Sequence, residues 1–108
     1  MTDFERNVNF QRAQQRMITE HIKAIDDVDD AKLYIAWPKK ELFLSDQEPV
    51  AVSVIITPKP GSNITKNRKQ IEGIQRTLKY AIEGLQDENI IILDNNAVLL
   101  NNFGKIME

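Results

Sequence analysis

Between Ala31 and Pro60 the chain twice alternates apolar and polar positions with a period of two. Leu33, Ile35 and Trp37 are interleaved with Lys32, Tyr34 and Ala36, and Val52, Val54 and Ile56 with Ala51, Ser53 and Ile55, the spacing of half-buried strands. The second run, Val50 to Thr57, is dense in β-branched residues, which predicts a strand buried on more of its surface. Pro38, Pro49, Pro58 and Pro60 stand at or beyond the strand ends, where a missing N–H breaks no ladder hydrogen bond.

On either side the period changes to that of a helix. From Val8 to Ile25 the residues Phe10, Met17, Ile18, Ile22 and Ile25 are expected on one apolar stripe, with Arg6, Arg12, Gln15, Glu20 and Lys23 mostly off it. Thr2-Asp3-Phe4-Glu5, just upstream, has the form of a capping box. After the turn Pro60-Gly61-Ser62-Asn63, with Thr65 as the expected N-cap, Ile71, Ile74, Leu78, Ile82 and Leu85 recur at spacings of three and four. Gly84 is expected to supply a left-handed residue at that helix's end, with Leu85 folding back, and Gly73 to mark close packing against a neighbour. Ile90 to Leu93 reads as a third strand buried on both faces, Asp94-Asn95-Asn96 as a turn, and Val98 to Leu100 as a short returning arm. Asn101 to Glu108 carry little apolar weight, which leaves an ordered core at about residues 4–100 of a single domain, 1–108. The predicted architecture is α+β in the order α-β-β-α-β: two helices packed on one face of a small three-stranded mixed sheet.

Composition narrows the chemistry. With 42% apolar and 28% charged residues the chain has the balance of a globular domain, and its net charge of −2 argues against a general polyanion binder. There is no cysteine, and His21 is the one histidine, so neither a nucleophile–base pair nor a thiolate metal site can be assembled. Asp26, Asp27, Asp29 and Asp30 surround Val28 without the alternating oxygen ligands and central glycine of a calcium loop, and read as a solvated turn. Glycines occur singly at 61, 73, 84 and 104, so there is no phosphate-cradling loop. No catalytic residue, cofactor or metal is assigned. The order of elements resembles the KH nucleic-acid-binding module, and Lys59, Lys66, Arg68, Lys69, Arg76 and Lys79 gather around the second helix, but the GXXG loop by which KH domains grip a backbone is absent. A surface function remains. The connection from Pro38 to Pro49 is long and carries Leu42, Phe43 and Leu44, side chains expected either to fold back on the core or to meet another subunit.

Several stretches together resemble the flagellar M-ring (MS-ring) family, FliF. They are Phe4-Glu5 with Val8-Asn9-Phe10-Gln11-Arg12-Ala13, then Ala31 to Lys39, Leu42-Phe43, Asp46-Gln47-Glu48-Pro49, Ser53-Val54 and Pro60-Gly61. Gln70-Ile71, Ile74, Ile82, Gly84-Leu85, Glu88-Asn89-Ile90, Ile92 and Asp94 follow in the family's order. Tyr34, Glu83, Thr77 and Ala97 depart from it; Ala97 stands where the family places a glycine after the aspartate. The inner-ring lipoproteins of type III secretion injectisomes share the Ile82–Leu85 motif but lack the Phe-Glu lead-in and rank second.

The resemblance implies a ring-building motif with a KH-like fold, excised from a longer membrane protein of the bacterial inner membrane and lying on its periplasmic side. It implies homo-oligomeric packing into a ring that anchors the rod and houses the export gate, with other basal-body and export-gate proteins as partners and no cofactor. Side-by-side packing into a closed ring calls for a heterologous interface. From charge alone, the candidate faces are Lys69, Arg76 and Lys79 on the second helix against the acidic surface of Asp26, Asp27, Asp29 and Asp30.

Overall fold

The computed structural model describes residues 2–38 and 48–103. Its elements are α1 (Asp3–Lys23), β1 (Val28–Ala36), β2 (Ala51–Pro58), α2 (Arg68–Ala81) and β3 (Ile90–Asp94). Short 3-10 turns at Ile64–Lys66 and Asp87–Asn89 lead into α2 and β3. The sheet runs β1-β2-β3, antiparallel between the first pair and parallel between the second, which is the predicted mixed α+β architecture. Leu42, Phe43 and Leu44 lie outside the described residues.

α1 begins five residues before the predicted start because its capping box forms in full. The Glu5 amide donates to Thr2 Oγ1 at 3.1 Å, and the Thr2 amide to Glu5 Oε1 at 3.0 Å. The Thr2 amide and, after it, the Thr2 hydroxyl, both donating to Glu5 Oε1, hold the Glu5 carboxyl below its ordinary pKa. Inside the helix the predicted stripe is corrected. Ile18 and Ile22 are buried, but Phe10 and Met17 stand 64% and 70% exposed. A residue advances about 100° around a helix of 3.6 residues per turn, so Met17 sits a quarter-turn from Ile18. The inner line instead continues upstream through two half-buried glutamines. Gln14 Nε2 donates to the Ala81 carbonyl at 3.0 Å, tying α1 to the end of α2, and Gln15 Oε1 accepts from the Ile35 amide at 3.4 Å.

α2 is capped by Asn67 rather than Thr65. Asn67 Oδ1 accepts from the Gln70 amide at 3.2 Å, while Thr65 falls within the preceding 3-10 turn. The helix ends at Ala81, and Gly84 follows at φ +82°, the left-handed residue that turns the chain so that Leu85 is buried. Ile71, Ile74 and Leu78 face the sheet and are essentially inaccessible, as are Val54, Ile56 and Ile92 on the strands. These residues, with Ile22, Ile64 and Ile82, make one core between a helix layer and a sheet layer.

The C-terminal segment is more firmly held than its composition suggests. Leu99 bridges Leu93 antiparallel, and the Leu100 amide donates to the Ile92 carbonyl at 2.8 Å. Asn101, expected beyond the ordered core, makes three side-chain hydrogen bonds. Its Nδ2 donates to the Ile90 carbonyl at 2.8 Å and to Gln75 Oε1 at 2.9 Å, and its Oδ1 accepts from the Ile92 amide at 3.0 Å. The turn before it is an Asx-type turn: Asp94 Oδ1 accepts from the Asn96 and Val98 amides, and Ala97 takes φ +66° where the family's glycine would rest unstrained.

Candidate interaction surfaces

In β1, Ala31, Leu33 and Ile35 point to the helices; in β2, Val52, Val54 and Ile56 do; in β3, Ile90 and Ile92 do. The intervening residues form a second face that no described helix covers. Strand register places Tyr34 beside Ser53 and Ser53 beside Ile91, and one step along it places Lys32, Ile55 and Leu93 in a row. Leu99 extends that row through its bridge to Leu93. Tyr34 is 66% exposed, Ile91 46%, Leu99 45% and Ile55 39%. β2 was expected to be buried on more of its surface and β3 on both faces; in the structure each is fully buried on the helix side only, with Ile55 and Ile91 exposed on the other. A hollow of 280 Å³ lies on this face among Tyr34, Ala36, Ala51, Ser53, Glu88 and Ile91.

The helix layer carries an apolar groove of its own. A groove of 520 Å³ runs between α1 and α2, lined by Met17, Ile18 and His21 from one helix and by Gly73, Arg76, Thr77, Tyr80 and Ala81 from the other. Gly73 was expected to pack closely against a neighbour, but a Cβ built on it meets nothing within 4 Å. Gly73 therefore leaves the groove floor open. Tyr80, 84% exposed, stands at the rim.

These paired surfaces sit on a framework with known relatives. The family described as secretory protein of YscJ/FliF RBM domain matches residues 1–101. The chain belongs to the YscJ/FliF family. It is 54% identical over 102 residues to the flagellar M-ring protein of Treponema pallidum, covering 94% of this chain and 18% of that protein. The flagellar M-ring protein of Borreliella burgdorferi is 48% identical over 106 residues, with 98% and 19% covered. The chain thus spans about a fifth of the length of these relatives. Among solved structures, a fragment of FliF superposes with a TM-score of 0.73 at 27% identity, covering 88% of this chain and 60% of that one. The type III secretion protein EscJ of enteropathogenic E. coli superposes with a TM-score of 0.67 at 15% identity, covering 86% and 52%, and shares the fold.

The charged residues singled out for the YscJ/FliF domain are distributed as follows. Lys69 and Arg76 are exposed on α2, and Arg76 lines the helix groove. Lys79 is taken up within the chain: its Nζ lies 3.2 Å from Asp87 Oδ2, and Gln75 Nε2 donates to Asp87 Oδ1 at 3.1 Å. The Gln75 hydrogen bond, then that of Lys79, lowers the Asp87 pKa. Asp26 and Asp29 are exposed, whereas Asp27 Oδ2 accepts from Gln70 Nε2 at 2.8 Å and Asp30 lies 3.9 Å from Lys23 Nζ. The acidic turn therefore sits beside the first turn of α2. Among the described residues no group of three His, Cys, Asp or Glu could hold a metal ion, and no helix is long and apolar enough to cross a membrane.

Sequence reasoning assigned Tyr34, Ile55 and Ile91 to no interface. Their signal was present in β2 and β3, where Ile55, Ile91 and Leu93 add apolar residues to the face that two helices packed on the other side cannot cover.

Proposed function

We propose that this domain is a structural, ring-building element of a flagellar M-ring protein, with no catalytic role. Copies pack side by side into the basal-body ring of the bacterial inner membrane, on its periplasmic side, where the ring anchors the rod and houses the export gate. The observation that carries this reading is the set of exposed apolar side chains, Tyr34, Ile55, Ile91 and Leu99, on the uncovered sheet face of a YscJ/FliF domain: such a face favours a second layer, and the described chain supplies a helix layer on the other side alone. The names of the relatives favour the flagellar ring over the injectisome ring. Other basal-body and export-gate proteins are the expected further partners. Lys69 and Arg76, with Asp26 and Asp29, are available for the charged rim of the contact; Lys79, Asp27 and Asp30 can join it only by loosening contacts inside the chain. Leu42, Phe43 and Leu44 remain candidates for the same interface.

Sedimentation velocity of the 108-residue chain up to about 1 mM, which detects contacts worth about 4 kcal/mol, tests the reading. Reversible growth with concentration is expected, abolished by Ile91→Lys without loss of the far-UV dichroism. A monomer at every concentration would remove this domain from the role of driving the ring.

A further inference from the structure

A cleft of 470 Å³ lies at the end of the sheet where β1 finishes and β2 begins, and it shares no lining residue with the sheet-face hollow or the helix groove. Trp37 and Pro38 line it just after β1, and Glu48 and Pro49 just before β2, above the buried Val50. Glu83 and Gly84, beyond the end of α2, complete it. A Cβ on Gly84 would stand 4.0 Å from Val50 Cγ1, so the bare glycine keeps that space clear. We propose that this cleft docks an extended, proline-containing segment of another protein and holds it by a lysine or arginine side chain.

The walls select the backbone of the ligand. Trp37 is half-buried and packs against the core, which holds the indole in place, while Pro38 and Pro49 are exposed beside it. An indole and two pyrrolidine rings make a stiff apolar surface that loses little freedom on binding. The ligand that matches this economy is a polyproline II segment, which is already extended and has no internal hydrogen bonds to break. Charge selects the side chain. Glu48 and Glu83 are both exposed, no cation lines the cleft, and neither carboxylate has an ion pair or hydrogen bond among the described residues. Elsewhere Glu20, Glu72 and Asp87 are paired with Lys23, Arg68 and Lys79. An entering lysine or arginine meets two carboxylates and an indole face, each of which attracts cations. An acidic segment meets only repulsion. Because the cleft lies at the end of the sheet, its occupancy does not rest on how copies of the domain meet.

Trp37 is the one tryptophan of the chain, so its fluorescence reads the cleft directly. The 108-residue chain is titrated, up to about 1 mM, with a blocked peptide of prolines interrupted by two arginines. One control peptide carries glutamates for the arginines, and another glycines for the prolines. A saturable change in emission is expected with the first peptide alone. Glu48→Gln and Glu83→Gln, each confirmed as folded by far-UV circular dichroism, should weaken binding about threefold to fivefold, less at high salt. No saturable change, equal binding of either control peptide, or glutamine variants that bind as tightly as the parent would overturn the proposal. Binding that appears only after Lys39→Ser and Lys40→Ser would overturn it in favour of the chain's own residues 39–47. Weaker self-association of the glutamine variants in sedimentation, without peptide binding by the parent, would overturn it in favour of a second copy.

Discussion

Replacing Gly73 with alanine should stabilise the monomer. Glycine in a helix interior costs about 1 kcal/mol relative to alanine, through the backbone freedom it loses on folding. The usual reason to keep such a glycine is space, and here there is no such constraint: the added Cβ meets nothing within 4 Å. Gly73 also lies within α2 with no positive φ, so alanine brings no backbone strain. The methyl group would be exposed and bury little, leaving the propensity term nearly undiluted. With an unfolding entropy of about 2.1 cal/mol/K per residue, a 108-residue chain gains about 4 °C in Tm for about 1 kcal/mol. Thermal unfolding followed by far-UV circular dichroism at low micromolar concentration, where association does not contribute, is the assay. An unchanged or lowered Tm would mean that the groove floor is already occupied within the monomer, and the case for an open groove would fail with it.

Three other substitutions probe the framework. Ala97→Gly should raise stability by about 0.5–1 kcal/mol in urea unfolding, because relief of the left-handed strain at φ +66° outweighs glycine's greater freedom when unfolded; a loss would show that Ala97 is unstrained. Asn101→Ala should cost about 2 kcal/mol by leaving the Ile90 carbonyl and Ile92 amide without partners, and a change below about 0.5 kcal/mol would mean that water replaces them freely. Asp87 has a folded pKa below its unfolded one, so its contribution is present at neutral pH and lost as pH falls through the lowered value. Asp87→Asn should therefore flatten the acid limb of the urea midpoint, and identical pH profiles for the two proteins would contradict this.

What the sequence disclosed followed from local physics. The strand alternation, the Thr2–Glu5 box and the Ile71–Leu78 stripe are each patterns written in residues close in the chain, and each appears in the structure. Asn101 was misread because its partners Gln75, Ile90 and Ile92 are brought to it only by the tertiary fold. Phe10 and Met17 were assigned to the core because apolar character and near-helical spacing do not reveal which side a helix turns inward. Polar Gln14 and Gln15 took that side through hydrogen bonds to α2 and β1. Ile55 and Ile91 show the same limit from the other direction: an apolar run marks a surface to be covered, without saying whether the cover belongs to the same chain.

The hydrogen bonds of the last described residues carry one further consequence. Along the free edge of β3, the Ile90 carbonyl, both backbone groups of Ile92 and the Asp94 amide are all engaged, by Asn101, Leu100 and Val98. On the far edge, the Ile35 amide is held by Gln15. An exposed strand edge is a template for cross-β aggregation, a particular hazard where many identical copies are crowded together. A β3 edge blunted in this way cannot take on a neighbour's strand, so that side of the sheet is closed to the growth that leads to fibrils.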